Sequence, residues 1–499
     1  MVMSNRPGYA IQEYHDTQKV MDQLNALIRQ PIRGIKKEAM DKYLEYYETK
    51  CQKSKAMIQE AMNYIPGGVQ HNLAFNYPFP LVFTKAEGAY LYDIDGNRYI
   101  DFLQAGGPTV LGSNPPKIRE KVKELLDTCG PVTGLFHEYE LKLAKLVCET
   151  YPGVEFFRAL NSGTEACMAA ARIARCATGH KNIVKMGGAY HGWSDQLSYG
   201  LRVPGRRSFG SHGIPKNIFK YTQEFFPNDI KSLKRVLRRN VLRGGTAAVY
   251  MEPVGPESGT RPLDYDFPKK VQALCKKYGA LLIFDEVVTG FRLGPDGAQG
   301  YFGIVPDLTI FGKVIAGGYP SAGAIAGLNK WRPYLAGGLD TKKEGEKKVH
   351  KAHVGGTLAA NPLSSLAGYY TVKEIIDSNA CEKAGAMGDR LTKGLQELIK
   401  KYNLPFVAYN QGSICHLETV GTMLFSISLL KFWKIPGVLK ETTRRQKMMQ
   451  KMGAAYMAEG IVTLAGSRMY TSAADTEEII DDALARFERV FKNIAEGEE

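Results

Sequence analysis

Two short segments, Ile283-Phe284-Asp285-Glu286-Val287 and Leu308-Thr309-Ile310-Phe311-Gly312-Lys313, each read as an apolar strand that delivers a charged residue at its end. In an open α/β sheet ligands collect beyond the carboxyl ends of the strands, so Asp285 and Lys313 would face one crevice. A primary amine and a carboxylate placed in this way suit a cofactor that carries an aldehyde and a pyridine ring. The amine can form a Schiff base with the aldehyde, and the carboxylate can keep the ring nitrogen protonated so that the ring withdraws electrons. Pyridoxal 5'-phosphate is such a cofactor.

Each residue also has a plainer role. Asp285 follows five consecutive apolar residues, where an ionised carboxylate is costly unless a cation or a donor meets it. A protonated pyridine would do so, and capping the next turn is an equal alternative. Lys313 stands alone among apolar residues and glycines; burial would lower its pKa and favour Schiff-base formation. Taken alone, a lysine whose stem packs and whose head reaches water is the commoner case. The nearby Asp285 tips that balance.

Three further segments follow predicted strands. Asn161-Ser162-Gly163-Thr164-Glu165 opens an alanine-rich helix that runs to about Ala177, so the amides and hydroxyls of Ser162, Gly163 and Thr164 gather where a phosphate can bind. A simple Ser/Thr cap is the commoner role of such a sequence by itself. Tyr190-His191-Gly192 puts an aromatic pair beside glycines; Tyr190 could stack on a flat ring, although packing and turn roles are commoner for each residue alone. Glu252 ends a strand at the same edge and either faces the ligand or terminates the strand.

The elements that must position these residues follow from the apolar pattern. Short runs at 156–160, 182–186, 247–251, 280–285 and 308–311 alternate with helical stretches, which predicts βαβ units and a mostly parallel sheet flanked by helices. Residues 12–63 are rich in Glu, Lys, Gln, Met and Leu and predict helix. Alternating apolar residues around Asp95-Gly96-Asn97 predict a β-hairpin. The expected organisation is an N-terminal helical arm over 1–64, an N-terminal part of a small domain with the hairpin over 65–115, a large cofactor-binding domain over 116–370, and a C-terminal α+β small domain over 371–499.

The chain has 499 residues, 44% of them apolar, more than one core usually supports. Its eight cysteines are scattered without Cys-x-x-Cys or metal-like spacing, so no metal site is expected and a reducing cytoplasm is the simplest setting. No signal peptide is expected, and the late apolar stretch 423–439 contains Lys431, Lys434 and Pro436, so no membrane span is expected either. The formal charge of +14 is spread through helical patterns such as Lys231–Arg239 and a charged, solvated loop over 342–348, without the aromatic-interleaved patterns of RNA binders. Nucleic acid is therefore not an expected partner, and a phosphate-bearing ligand is a better match to the field.

These motifs together resemble the class III pyridoxal-phosphate aminotransferases of fold type I, and within them the glutamate-1-semialdehyde 2,1-aminomutase-like branch. The resemblance runs from Ile65-Pro66-Gly67-Gly68-Val69 through Asn161-Ser162-Gly163-Thr164-Glu165-Ala166, Tyr190-His191-Gly192, Asp285-Glu286-Val287-Val288-Thr289-Gly290-Phe291-Arg292, Pro306-Asp307-Leu308-Thr309 and Lys313 to Gly355-Gly356-Thr357-Leu358-Ala359-Ala360-Asn361-Pro362. It implies that Lys313 carries the cofactor as a Schiff base and later moves a proton, and that Asp285 meets the pyridine nitrogen. It also implies that Val287 and Tyr190 cover the two ring faces and that Ser162, Gly163 and Thr164 hold the phosphate. Thr357 would reach the phosphate in a neighbouring subunit, which implies a homodimer with active sites at the interface.

One departure bears on substrate. The aminomutases carry an arginine shortly after Pro-Gly-Gly that pairs with the substrate carboxylate, and residues 69–77 here contain none. Arg202, Arg206 and Arg207, in a loop beyond Tyr190-His191-Gly192, could supply an anion contact, although solvated cations are common in loops. The expectation is a transaminase that takes an amino group from an amine, β-amino acid or amino-acyl thioester and passes it to a 2-oxo acid such as 2-oxoglutarate or pyruvate. The alternative is aminomutase-type transfer within one molecule. A non-catalytic homologue is remote, because Lys313 and Asp285 are both present.

Overall fold

The computed structural model describes residues 6–132, 134–205, 212–335, 349–425 and 435–496. Arg206, Arg207 and the charged segment 342–348 lie outside the described residues, as does much of 423–439. The described residues form two compact units, one built from the chain up to 116 with 379–425 and the C-terminal segment, the other from 117–378.

The first unit begins with helices α1 (Thr17–Arg29), α2 (Lys37–Lys50) and α3 (Gln52–Ala61). Asp16 starts α1 by accepting the Lys19 amide at 3.0 Å, and the buried Val20, Leu24 and Leu27 recur at helical spacing along one face. The hairpin comes next: β1 (Phe83–Glu87), β2 (Tyr90–Asp93) and β3 (Arg98–Asp101) form an antiparallel meander. Asp93 closes the β2–β3 turn by accepting the Asn97 amide at 2.8 Å.

The second unit holds the large sheet. Helices α4 (Pro116–Thr128) and α5 (Glu138–Thr150) precede its seven strands: β4 (Phe156–Leu160), β5 (Asn182–Met186), β6 (Thr222–Phe225), β7 (Thr246–Met251), β8 (Leu281–Asp285), β9 (Leu308–Gly312) and β10 (Gly323–Gly327). Their order is β4-β10-β9-β8-β7-β5-β6. Neighbours from β9 through β6 are parallel, and β10 runs antiparallel between β9 and β4. Strands β5, β7, β8 and β9 are buried along their whole length, as a sheet covered on both faces requires. Helix α6 (Gly163–Thr178) lays Ala166, Ala170 and Ala174 on a core that includes Ile183, Ala248, Ile310 and Ile325.

The chain then returns to the first unit. Strands β11 (Val407–Gln411), β12 (Ile414–Glu418) and β14 (Arg468–Tyr470) form a second small sheet, and the short β13 (Ile461–Val462) extends the first by pairing in parallel with β3. Tyr47 from α2, Tyr99 from β3, Phe102 just after it, and Leu391, Tyr456 and Phe487 from the C-terminal helices share one core. The Tyr47 hydroxyl donates to the Ala454 carbonyl at 2.9 Å, so the N-terminal helices are built into this unit. Among the described residues no helix is long and apolar enough to cross a membrane.

Candidate active site

Because β5, β7, β8 and β9 are parallel, Met186, Met251, Asp285 and Gly312 end on one edge of the sheet, and the loops that follow them converge. Asp285 is only 5% exposed. Its Oδ2 lies 2.7 Å from Nδ1 of the fully buried His191 and 3.8 Å from Sγ of Cys167, and its Oδ1 accepts the Val287 amide at 3.1 Å. A carboxylate can only accept, so the imidazole carries its proton on Nδ1 and donates it to Asp285. Burial holds the His191 pKa below its ordinary value, against the pull of Asp285. Its Nε2 is buried with no hydrogen-bond partner among the described residues.

Lys313 follows β9 directly, half-buried, with φ at 47°. A side chain in left-handed backbone costs of order 1–3 kcal/mol, and such strain collects at functional sites. Val287 joins this lysine to the helix α6 terminus. A Cβ on Gly163 would come within 2.9 Å of one Val287 methyl, and a Cβ on Gly312 within 2.9 Å of the other. Only glycine fits at both places, so the Ser162 loop, Val287 and the residue before Lys313 form one packed cradle.

At the start of α6, Ser162 Oγ accepts the Glu165 amide at 3.2 Å, which is the capping role weighed from the sequence. Glu165 reaches back to the Asn161 amide at 2.8 Å and fixes the turn. Ser162, Gly163 and Thr164 are half-buried. Gly192 lies directly against Thr164, which brings the Tyr190-His191-Gly192 loop to the same helix end. Gly356 abuts the Asn161 side-chain amide, and Thr357 beside it is exposed.

Glu252 is a clamp. Its Oε1 accepts the amides of Tyr190 at 3.0 Å and Glu257 at 2.9 Å, and its Oε2 accepts that of Ser258 at 2.7 Å. Burial, with Asp285 and Glu257 adding like charge, pushes its pKa up to about 8. Tyr190 remains 44% exposed. The sequence reading missed Lys185, which is fully buried in β5 and donates to the carbonyls of Ala189 at 2.8 Å and Leu197 at 2.9 Å. It ties down both ends of the Tyr190–His191 loop, and burial lowers its pKa to about 8. A lysine inside an apolar strand was the available signal. Cys167 and Glu257 were also missed, and nothing in their local sequence marks them.

The residues fit pyridoxal phosphate. The site offers a strand-end carboxylate oriented by an imidazole, a valine in space that two glycines leave open, an amine on strained backbone, and amides at the start of a 16-residue helix. Fold and site together define a fold type I pyridoxal-phosphate enzyme. The class-III aminotransferase family matches residues 73–463, and the chain belongs to that family.

Two aminomutases and one solved transaminase illustrate the similarity. Glutamate-1-semialdehyde 2,1-aminomutase 1 of Lachnoclostridium phytofermentans is 37% identical over 381 residues, 75% of this chain and 84% of the relative. Glutamate-1-semialdehyde 2,1-aminomutase of Aquifex aeolicus is 34% identical over 449 residues, 89% of this chain and 100% of the relative. The crystal structure of an omega-transaminase from Sphaerobacter thermophilus superposes with a TM-score of 0.78 at 25% identity, covering 90% of this chain and 99% of that one.

Proposed function

We propose that this chain moves an amino group within one small substrate, as an aminomutase does. The observation that carries the amino-transfer chemistry is the gathering of Asp285, Val287, Lys313 and the Ser162 and Tyr190 loops at one sheet edge. The intramolecular form is supported by the two aminomutase relatives and departs from the transaminase expectation of the sequence reading.

When bound, pyridoxal phosphate supplies an electron-withdrawing ring over which negative charge from a substrate carbon is spread. Asp285 would keep a proton on the ring nitrogen, with His191 fixing the carboxylate. Val287 would cover one ring face and Tyr190 the other. Ser162, Gly163 and Thr164 would present hydroxyls and amides to the phosphate at the positive end of α6. Lys313 would hold the cofactor by its aldehyde, and its amine would carry the proton between the substrate carbons. Glu252 acts through the backbone amides of both flanking loops.

A second reading, transamination to 2-oxoglutarate or pyruvate from an amine, β-amino acid or amino-acyl thioester, is favoured by the lack of arginine in residues 69–77. One experiment separates the two. The holoenzyme is given glutamate-1-semialdehyde alone, and in parallel a panel of amines and β-amino acids with and without each 2-oxo acid. Product from the semialdehyde with no acceptor supports the first reading. Turnover only when a 2-oxo acid is present replaces it with the second.

A homodimer completes this reading. Thr357 is exposed beside the Asn161 turn, which suits a contact with a second subunit's cofactor phosphate. Sedimentation should give about twice the chain mass, and a monomer that binds cofactor tightly would remove Thr357 from the site. The eight cysteines, scattered along the chain without Cys-x-x-Cys spacing, suit a reducing compartment.

A further inference from the structure

Between β6 and β7 runs a helix without an acidic residue. Helix α7 (Ile230–Val241) reads Ile-Lys-Ser-Leu-Lys-Arg-Val-Leu-Arg-Arg-Asn-Val. It buries Leu233 and Leu237 and exposes Lys231, Lys234, Arg235, Arg238 and Arg239, which line one open basic groove. Lys231 and Arg235, Lys234 and Arg238, and Arg235 and Arg239 are like charges four residues apart, a spacing that destabilises a helix. No carboxylate among the described residues pairs with any of them. Elsewhere the chain interleaves the two signs: Lys142 pairs with Glu138, Lys373 with Asp377 and Arg390 with Asp481. The helix Phe267–Tyr278 packs beside α7 and also contains no acid, with Lys269, Lys276 and Lys277 exposed. Cations in a last turn complement the helix dipole, but Lys231 stands at the start of α7, where the dipole favours an acid.

The basic helix ends in an apolar tip. Val241 is 62% exposed and Leu242 91%. The turn that carries them is fastened. The Lys181 amide donates to the Gly244 carbonyl at 2.9 Å, and the buried Asn182 side chain donates to the carbonyls of Arg243 at 2.9 Å and Gly245 at 2.6 Å. Gly244 and Gly245 are in left-handed backbone, and a Cβ on Gly245 would come within 2.3 Å of the His180 ring. Leu242 is thus held in the open, followed by the exposed Arg243. Leu237, Val241, His180 and Tyr278 line a hollow of about 460 Å³ that joins this turn to the neighbouring helix. Because β5, β7 and β8 are parallel, Lys181, the 242–245 turn and Tyr278 lie at the amino ends of these strands, the sheet edge opposite Asp285.

We propose that α7 and the Val241–Leu242 turn dock the protein on a bilayer surface rich in anionic phospholipid. The headgroups supply the anions that both helices lack, and so offset the repulsion along α7. Leu242 and Val241 enter the boundary between headgroups and acyl chains, while the arginine stems lie on apolar surface and keep their guanidinium groups at the phosphates. A nucleic acid matches the charge but not the tip. Its backbone leaves Leu242 and Val241 in water, and α7 has no aromatic on which a base could stack. Docked in this way, the sheet edge that bears Asp285 and Lys313 faces away from the lipid.

The test is sedimentation of the pyridoxal-phosphate holoenzyme with vesicles of phosphatidylcholine alone and of phosphatidylcholine with an equal part of phosphatidylserine. Binding is expected to the second alone, weakening as salt is raised. The triple variant Lys234→Gln, Arg235→Gln, Arg238→Gln should bind at least about tenfold more weakly. It should melt no lower than wild type, because glutamine relieves the repulsion along α7, so lost binding is not lost fold. Leu242→Ser, which keeps every charge, should weaken binding several-fold. The proposal is overturned by no binding to the anionic vesicles, equal binding to both kinds, or undiminished binding in either variant. Tighter binding per phosphate to a duplex DNA than to the anionic vesicles at the same salt also overturns it, and makes the face a nucleic-acid site.

Discussion

Asp285 is buried, and its three contacts show how a carboxylate is kept ready there: an imidazole N–H, a weak thiol contact and the amide of Val287. None is a fixed cation, which leaves the carboxylate as the counter-charge for a ring nitrogen. Asp285→Asn keeps the shape and loses the charge. Turnover should fall by about 100-fold or more with the unfolding midpoint little changed, a loss of the size seen when a preorganised electrostatic partner is removed. Lys313→Ala should bind the cofactor without a covalent link and turn over at least about 100-fold more slowly, since it removes the proton carrier; near-normal rates would take Lys313 out of the chemistry. Gly312→Ala tests the cradle. Its added methyl, 2.9 Å from Val287, should force that side chain out of place and weaken cofactor affinity in a titration, while backbone at φ near −162° tolerates alanine without strain.

At the scale of elements, the strands that carry the site were legible because they are apolar runs of five or six residues ended by a polar residue: Asp285, Glu252 and Lys313 could be placed from the pattern alone. Two strands were not. β10 reads Gly-Ala-Ile-Ala-Gly, too small and glycine-rich to signal a strand, and it forms only because it is held between β9 and β4. β6 reads Thr-Gln-Glu-Phe, a polar edge strand paired on one side. The His191–Asp285 contact joins residues 94 apart and depends on the register of β5, β7 and β8, so no local spacing announces it. Lys185 shows what such a scaffold requires. Lys185→Met leaves the Ala189 and Leu197 carbonyls without their donor, at about 1–3 kcal/mol for each buried group left unmet. The loop that bears Tyr190 and His191 should loosen, lowering both the unfolding midpoint and cofactor affinity; an unchanged cofactor affinity would show that the loop is held by other means.

Across the whole molecule, buried acids set how stability responds to pH. Burial raises Glu252 to about 8, Glu286 and Glu418 to about 7, and Asp101 to about 6, in both units of the chain. Each binds its proton more tightly folded than unfolded, so its contribution is fully present below the ordinary carboxylate range of about 4 to 4.5 and is lost as pH rises through 6 to 8. Lys185 adds little in that window, because its folded value of about 8 lies below the ordinary 10.5 and its effect is a gain in stability between those two values. The cofactor-free protein should therefore melt at progressively lower temperature from pH 5.5 to 8, with the slope easing above pH 8. Glu252 extends the loss furthest into the alkaline side. Glu252→Gln, whose single amide oxygen can still accept from the Tyr190 and Glu257 amides while the Ser258 amide loses its acceptor, should lower the midpoint throughout but remove that portion and flatten it between pH 7 and 8. An identical slope in the variant would mean that Glu252 is already ionised in the folded protein and that its three amide donors outweigh its burial.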